Sequence, residues 1–205
     1  GLRPVVELSY VDFIGVCFDQ IMNQAAKLRY MYGGRVSLPL VIRTQGGAGL
    51  GNGAQHSQSL EAILAHIPGI RVVMPSNAYD AKGLLLHAIR DNNPVVFIEH
   101  KALYKKKCEV PEEPYECDYC CDIKKEGTDI TFVAYSSMVD QSLKAAAELE
   151  KEGISAEVVD IRSLEPFDAD TVIKSVEKTG RAVVAHEANV KGGFGAEIAS
   201  TIQER

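Results

Sequence analysis

One stretch narrows the folds open to this chain more than any other: between residues 38 and 93, strand-like and helix-like segments alternate around a glycine run. The apolar segment 38–42 has the length of a buried strand and leads into five glycines among residues 46–53. A polar, histidine-centred piece, Gln55-His-Ser-Gln58, comes next, followed by a helical segment at 59–66 that Pro68-Gly69 closes. Residues 71–74 read as a second strand. Ser76 or Asn77 then caps a helix bearing Ala81, Leu84, Leu85, Ala88 and Ile89, and 94–98 is a third strand. Strands joined through helices make crossover connections, so the expected class is α/β: a mostly parallel sheet with helices on both faces. Glycines this dense after a strand let the backbone approach a ligand or a partner chain closely, as in a functional loop.

The same alternation flanks this stretch. Residues 4–8 read as a strand, and Val11, Ile14, Phe18, Ile21, Ala25, Leu28 and Tyr32 recur at helical spacing until Gly33-Gly34. From 101 to 128 the pattern lapses into Pro111, Pro114 and many acidic residues, as expected of a linker. It then resumes with strands at 130–135, 156–161 and 181–186 and helices at 138–151 and 168–178. A second glycine turn, Gly192-Gly-Phe-Gly195, opens a helix that reaches Arg205, so the second sheet is expected to be unfinished within these residues. The division implied is 1–104 for a first unit, 105–128 for the linker and 129–205 for a second unit.

Several function classes are disfavoured. A net charge of −6 over 205 residues offers no basic stripe for nucleic acid, and Lys105-Lys106-Lys107 lies among Glu109, Glu112, Glu113 and Glu116. No apolar run approaches the roughly 20 residues of a membrane span, and no signal-peptide pattern is visible. Cys108, Cys117, Cys120 and Cys121 invite a zinc reading. Neighbouring side chains in an extended segment point apart, however, and no second Cys-x2-Cys completes a set, so reduced thiols are expected. Cys17 reads as core. Gly49-x-Gly51-x-x-Ala54 meets the loose dinucleotide fingerprint, but the polar segment intervenes before the helix and the strand at 71–74 lacks a terminal acid for a ribose.

Other segments carry a resemblance. They are Gly1-Leu-Arg-Pro-Val-Val-Glu7, Asp12-Phe13, Phe18-Asp-Gln20, Ala54-Gln-His-Ser-Gln-Ser59, Asp80-Ala-Lys-Gly-Leu84, Ala88-Ile-Arg-Asp-Asn-Asn-Pro-Val-Val96, Glu99-His-Lys-Ala-Leu-Tyr104, Ile161-Arg-Ser-Leu-Glu-Pro-Phe167 and Gly192-Gly-Phe-Gly-Ala-Glu-Ile198. In order and along the whole chain, they resemble the β subunit of the decarboxylase component of thiamine-diphosphate-dependent 2-oxo acid dehydrogenases. Glu99-His-Lys-Ala-Leu-Tyr104 leans towards the pyruvate and acetoin types, while Ala185-His-Glu-Ala188 also resembles the branched-chain type. A non-catalytic transketolase-like interaction domain is the reading from another class.

The resemblance implies two transketolase-like units, the first binding the aminopyrimidine ring of thiamine diphosphate. It implies an α subunit, a second β subunit and a lipoyl-bearing acyltransferase core as partners. The setting would be bacterial cytoplasm or, in a eukaryote, the mitochondrial matrix. In the family the α subunit supplies the magnesium-diphosphate motif Gly-Asp-Gly, which this sequence lacks, and the activating glutamate lies upstream of Gly-Leu-Arg-Pro. The residues implied here are Phe13 packed on the aminopyrimidine with Ser9 beside it, and His56 near the reacting carbon as a proton carrier in acyl transfer. A structural potassium ion is implied at Leu40, Ala88, Ile89, Asp91 and Asn93. His66, His87, His100 and His186 carry no such implication and are expected to be packing or surface groups.

Overall fold

The computed structural model describes residues 1–49 and 51–205. In chain order the regular elements are β1 (Val5–Leu8), α1 (Leu28–Met31), β2 (Val41–Gly46), α2 (Glu61–Ala65), β3 (Arg71–Val73), α3 (Ala78–Arg90) and β4 (Val95–His100). The second half supplies β5 (Asp122–Lys125), β6 (Ile130–Ala134), α4 (Ser137–Lys151), β7 (Ala156–Asp160), β8 (Ser163–Glu165), α5 (Ala169–Thr179), β9 (Ala182–Ala185) and α6 (Gly195–Glu204). One sheet runs β1-β2-β4-β3-β8, with its first four strands parallel; the other runs β5-β7-β6-β9, with β5 antiparallel to its neighbour. The architecture is thus the expected α/β one of mostly parallel sheets and helices.

Alternation within the strands explains how both faces are covered. Val41, Val73, Val95 and Phe97 point to a cluster under α3, whereas Ile42, Val72, Val96 and Ile98 point the other way. The second set joins Val133, Tyr135, Val159, Ile161, Leu164, Val172, Phe194 and Ile198 from the second half in one continuous core. β8 reinforces this seam: a strand from the second half pairs antiparallel with β3 of the first sheet. The two halves therefore bury their apolar faces against each other.

Several local expectations needed correction. Residues 11–32 do not form one α-helix: Val11–Val16 is a 3-10 segment, Gln20–Ala25 is a π-type turn, and Leu28–Met31 is a short α-helix. The apolar spacing found the buried face, since Val11, Ile14, Ile21 and Ala25 are inside. Three of the first six positions are β-branched and a fourth is Gly15, a poor composition for a regular helix. β2 starts later than expected and runs through Arg43, Thr44 and Gln45 into the glycines. Those polar residues fit because Arg43 lies opposite Glu7 on β1 and bonds Glu99 on β4, at 3.1 Å to the first and 2.7 to 2.8 Å to the second. The stretch read as linker contains β5, and its Cys117 and Tyr119 pack beneath α3. Asn77, not Ser76, caps α3, accepting a hydrogen bond from the Asp80 amide at 2.8 Å.

Candidate functional site

The C-terminal ends of β2 and β4 meet at the seam between the halves, where ligand sites of open parallel sheets lie. From β2 the chain enters the glycine loop, whose neck is closed by Gly47 N donating to Gln58 O at 3.1 Å. Gly47 has φ +90°, and a Cβ there would stand 2.1 Å from Nε2 of His100, so this position requires glycine. The 3-10 segment after β1 holds the far limb: Asp12 Oδ1 accepts from the amides of Ser57 at 3.2 Å and Gln58 at 3.1 Å. Lys101, buried just past β4, donates to the His56 carbonyl and places its ammonium 4.8 Å over the Tyr10 ring.

These ties bring His56 and Phe13 together. The His56 ring lies edge-on to Tyr10 with centroids 4.6 Å apart and edge-on to Phe13 at 5.4 Å. Phe13 stays 40% exposed, which leaves ring surface open for a planar ligand. Beside it, Asp12 Oδ2 is buried with no hydrogen-bond partner among the described residues. Ser9 is exposed at the end of β1, on the chain entering this segment.

The second half supplies the seam's other wall. Glu187 accepts from Ala48 N at 3.0 Å, His100 Nε2 at 2.5 Å and Ser137 Oγ at 3.2 Å. Because Ala102 N donates to His100 Nδ1 at 3.2 Å, Nε2 carries the imidazole proton. That hydrogen bond from His100 holds the Glu187 carboxyl below its usual range, against the opposing effect of burial. Deeper in, burial pushes the Glu61 carboxyl up, partly offset by the 3.0 Å hydrogen bond that Tyr135 Oη donates to it. Tyr135 stacks on His186 at 6.3 Å, and Gly195 leaves room for that imidazole, since a Cβ there would meet it at 2.3 Å. His100 was expected to be a packing or surface residue; it is buried and bonded across the seam.

The residues singled out for potassium gather at the C-terminal end of α3, away from His56. Arg3 donates to Ile89 O at 3.1 Å and Asp91 O at 3.0 Å, while Leu40 O accepts from Val95 N at 2.9 Å. The Asp91 side chain accepts from Asn93 N at 2.9 Å, pairs with Arg71 at 2.5 Å and accepts from Tyr119 Oη at 3.2 Å. Burial opposes ionisation of Asp91, but the hydrogen bonds from Asn93 and the Arg71 charge prevail and hold its carboxyl below the usual range. Ala88, wholly buried, offers its carbonyl to Asp91 N at 3.3 Å. Among the described residues, no group of three or more His, Cys, Asp or Glu is placed to hold a metal ion, and all five cysteines are free thiols.

Residues 1–107 match the family described as transketolase, pyrimidine binding domain, and residues 120–205 match the transketolase C-terminal domain. The chain belongs to the transketolase family. Curated relatives include the acetoin:2,6-dichlorophenolindophenol oxidoreductase subunit beta of Cupriavidus necator, 52% identical over 206 residues covering 100% of this chain and 61% of that protein. The pyruvate dehydrogenase E1 component subunit beta of Bacillus subtilis is 50% identical over 207 residues, covering 100% of this chain and 64% of that protein. The chain thus spans somewhat under two thirds of the relatives it matches. A solved structure described as a split gene transketolase, inactive beta4 tetramer, superposes with a TM-score of 0.83 at 28% identity, covering 100% of this chain and 64% of that one. On this transketolase frame the glycine loop falls within the pyrimidine-binding match, and Tyr135 and Glu187 fall within the C-terminal match.

Proposed function

We propose that this chain is part of the β subunit of a thiamine-diphosphate-dependent 2-oxo acid dehydrogenase decarboxylase component of pyruvate or acetoin type. The observation that carries the reading is the pairing of a half-exposed Phe13 with His56 on a loop fixed at both limbs, inside a pyrimidine-binding match. An aromatic face, an imidazole and an unpartnered carboxylate oxygen suit the aminopyrimidine half of the cofactor. The curated relatives are named as beta subunits, which supports an α subunit as the partner that brings the diphosphate and magnesium site.

When bound, thiamine diphosphate would supply a carbon nucleophile for a carbonyl and an electron sink for the pair released when the adjacent bond breaks. Phe13 would pack on the aminopyrimidine ring and orient it. His56 would hold a proton beside the cofactor and move it during acyl transfer. Potassium at the end of α3, a second β subunit and the lipoyl-bearing core belong to the same reading, with bacterial cytoplasm or mitochondrial matrix as its setting.

The test is reconstitution of the complete β polypeptide with its α partner and assay on pyruvate, acetoin and branched 2-oxo acids. Turnover of pyruvate or acetoin is expected, and turnover of branched acids alone would move the chain to the branched-chain type. The 205-residue chain by itself should show no decarboxylation, and activity without an α subunit would defeat the assignment. One similar structure is described as an inactive tetramer of beta chains, which favours the same outcome for β chains alone. If no assembly with any α partner turns over these substrates, the non-catalytic interaction domain becomes the better reading.

A further inference from the structure

The His56 loop belongs to the first half of the chain, yet one of its fastenings comes from the second. Glu187 follows β9 and reaches across the seam to Ala48, 139 residues earlier. One carboxylate oxygen accepts from the Ala48 amide and the other from His100 and Ser137, so three donors from three separate segments converge on it. Each donor has a fixed place. Ser137 opens α4, His100 ends β4, and His100 is oriented in turn by the amide of Ala102. The imidazole also fills the space that Gly47 leaves by having no side chain, so the loop's first turn is wedged between His100 and Glu187. A carboxylate receiving several hydrogen bonds in a partly buried site is among the stronger polar anchors available to a loop. Its far limb is held separately, by Asp12 and Lys101.

We propose that Glu187 is a positioning residue for the transketolase-type site: by holding Ala48 and His100 it sets the position of the loop that carries His56. Docking of the second half thereby becomes a condition for His56 to be in place. The proposal deepens the functional reading above and rests on it for the role of His56, but not for the fastening itself.

The experiment compares Glu187→Ala and Glu187→Gln in the assembled enzyme with wild type. Amide hydrogen exchange over residues 46–58 reads the fastening. Glu187→Ala should speed exchange there by about 10-fold, the scale of losing one charge-assisted hydrogen bond. Glu187→Gln, which keeps an acceptor for Ala48 N, should restore most of the protection. Acyl transfer to lipoyl groups should fall in parallel with exchange, while KM for the 2-oxo acid stays within about twofold, since a loosened His56 lowers kcat rather than substrate binding. If Glu187→Ala does not assemble, Glu187→Asp carries the same test, because the shorter side chain draws the carboxylate away from Ala48 N. Unchanged exchange over 46–58 would overturn the proposal, as would faster exchange spread evenly over β6, α4 and β9. If the loop loosens while His56→Ala retains wild-type rates, the fastening stands and the catalytic reading of His56 fails.

Discussion

His56 combines a restrained backbone with a ring set edge-on to two aromatic neighbours. Lys101 holds its carbonyl and Asp12 holds the two amides that follow, whereas the imidazole rests against Tyr10 and Phe13. Removing the ring therefore takes little from the core. His56→Ala should leave the melting temperature and cofactor affinity nearly unchanged, as for most substitutions away from buried contacts. The overall reaction should fall by roughly 10²-fold or more, the scale of losing a general acid or base. A smaller fall with an artificial electron acceptor would place the role in acyl transfer, whereas wild-type rates in both assays would return His56 to a structural part. Gly47 sits at the opposite extreme. At φ +90° and with the His100 ring in the way, Gly47→Ala should cost about 2–4 kcal/mol in stability, from backbone strain and displaced packing. Denaturant unfolding measures it, and a loss below about 0.5 kcal/mol, the ordinary surface scatter, would show that the loop can take another path.

Elements were legible where burial has a period. β4, β6, β7, α3, α4 and α5 fall within a residue or two of their expected spans, because each is apolar on one or both faces at the spacing of its own geometry. The segment 11–32 shows the limit: the buried face could be read, the hydrogen-bond pattern could not, since in pieces of four to six residues the apolar spacings of 3-10, α and π turns overlap. β8 escaped because three residues carry no period, and its pairing with β3 is set by the seam. His100, Lys101 and Glu187 escaped for a related reason. Their partners lie 45 to 139 residues away, and no local pattern encodes such a meeting. The glycine loop with its histidine stood out from the residues themselves, Phe13 was singled out through the resemblance, and the structure sets the two rings 5.4 Å apart. The end of α3 carries its own prediction. Arg3 already donates to two carbonyls there, so a bound potassium ion must compete with its guanidinium. Replacing sodium by potassium should raise the melting temperature, Arg3→Ala should enlarge that response and Asp91→Ala should shrink it. Equal melting in both salts for all three proteins would remove the ion from this site.

For the molecule as a whole, the seam is held by a common apolar core and by a buried charge cluster beside it. Lys124 of β5 pairs with Asp80 of α3 at 2.5 Å and lies 3.7 Å from Asp160 at the end of β7. Arg162 bonds Asp80 at 3.3 Å, and Ser76 donates to Asp160 at 2.5 Å. Asp160 is wholly buried, and that burial pushes its carboxyl up to about 7, although the Lys124 charge and the hydrogen bond from Ser76 pull the other way. The unfolded value is about 3.9, so between the two the folded chain keeps a proton that the unfolded chain gives up. Stability from this group is therefore fully present below about pH 4 and is lost as pH rises towards 7. Asp91 and Glu187 act in the opposite sense: their carboxyls sit below the usual range, and the stability they contribute is lost as pH falls through their folded values. Asp160→Asn, which keeps the shape and an acceptor for Arg162 N, should separate the two effects. Relative to wild type, its melting temperature should improve steadily between about pH 5 and pH 7 and then level off. The acid limb set by Asp91 and Glu187 should be common to both proteins. A difference that stays constant across that range would mean Asp160 is ionised throughout, held so by Lys124, and that the seam gains no proton on folding.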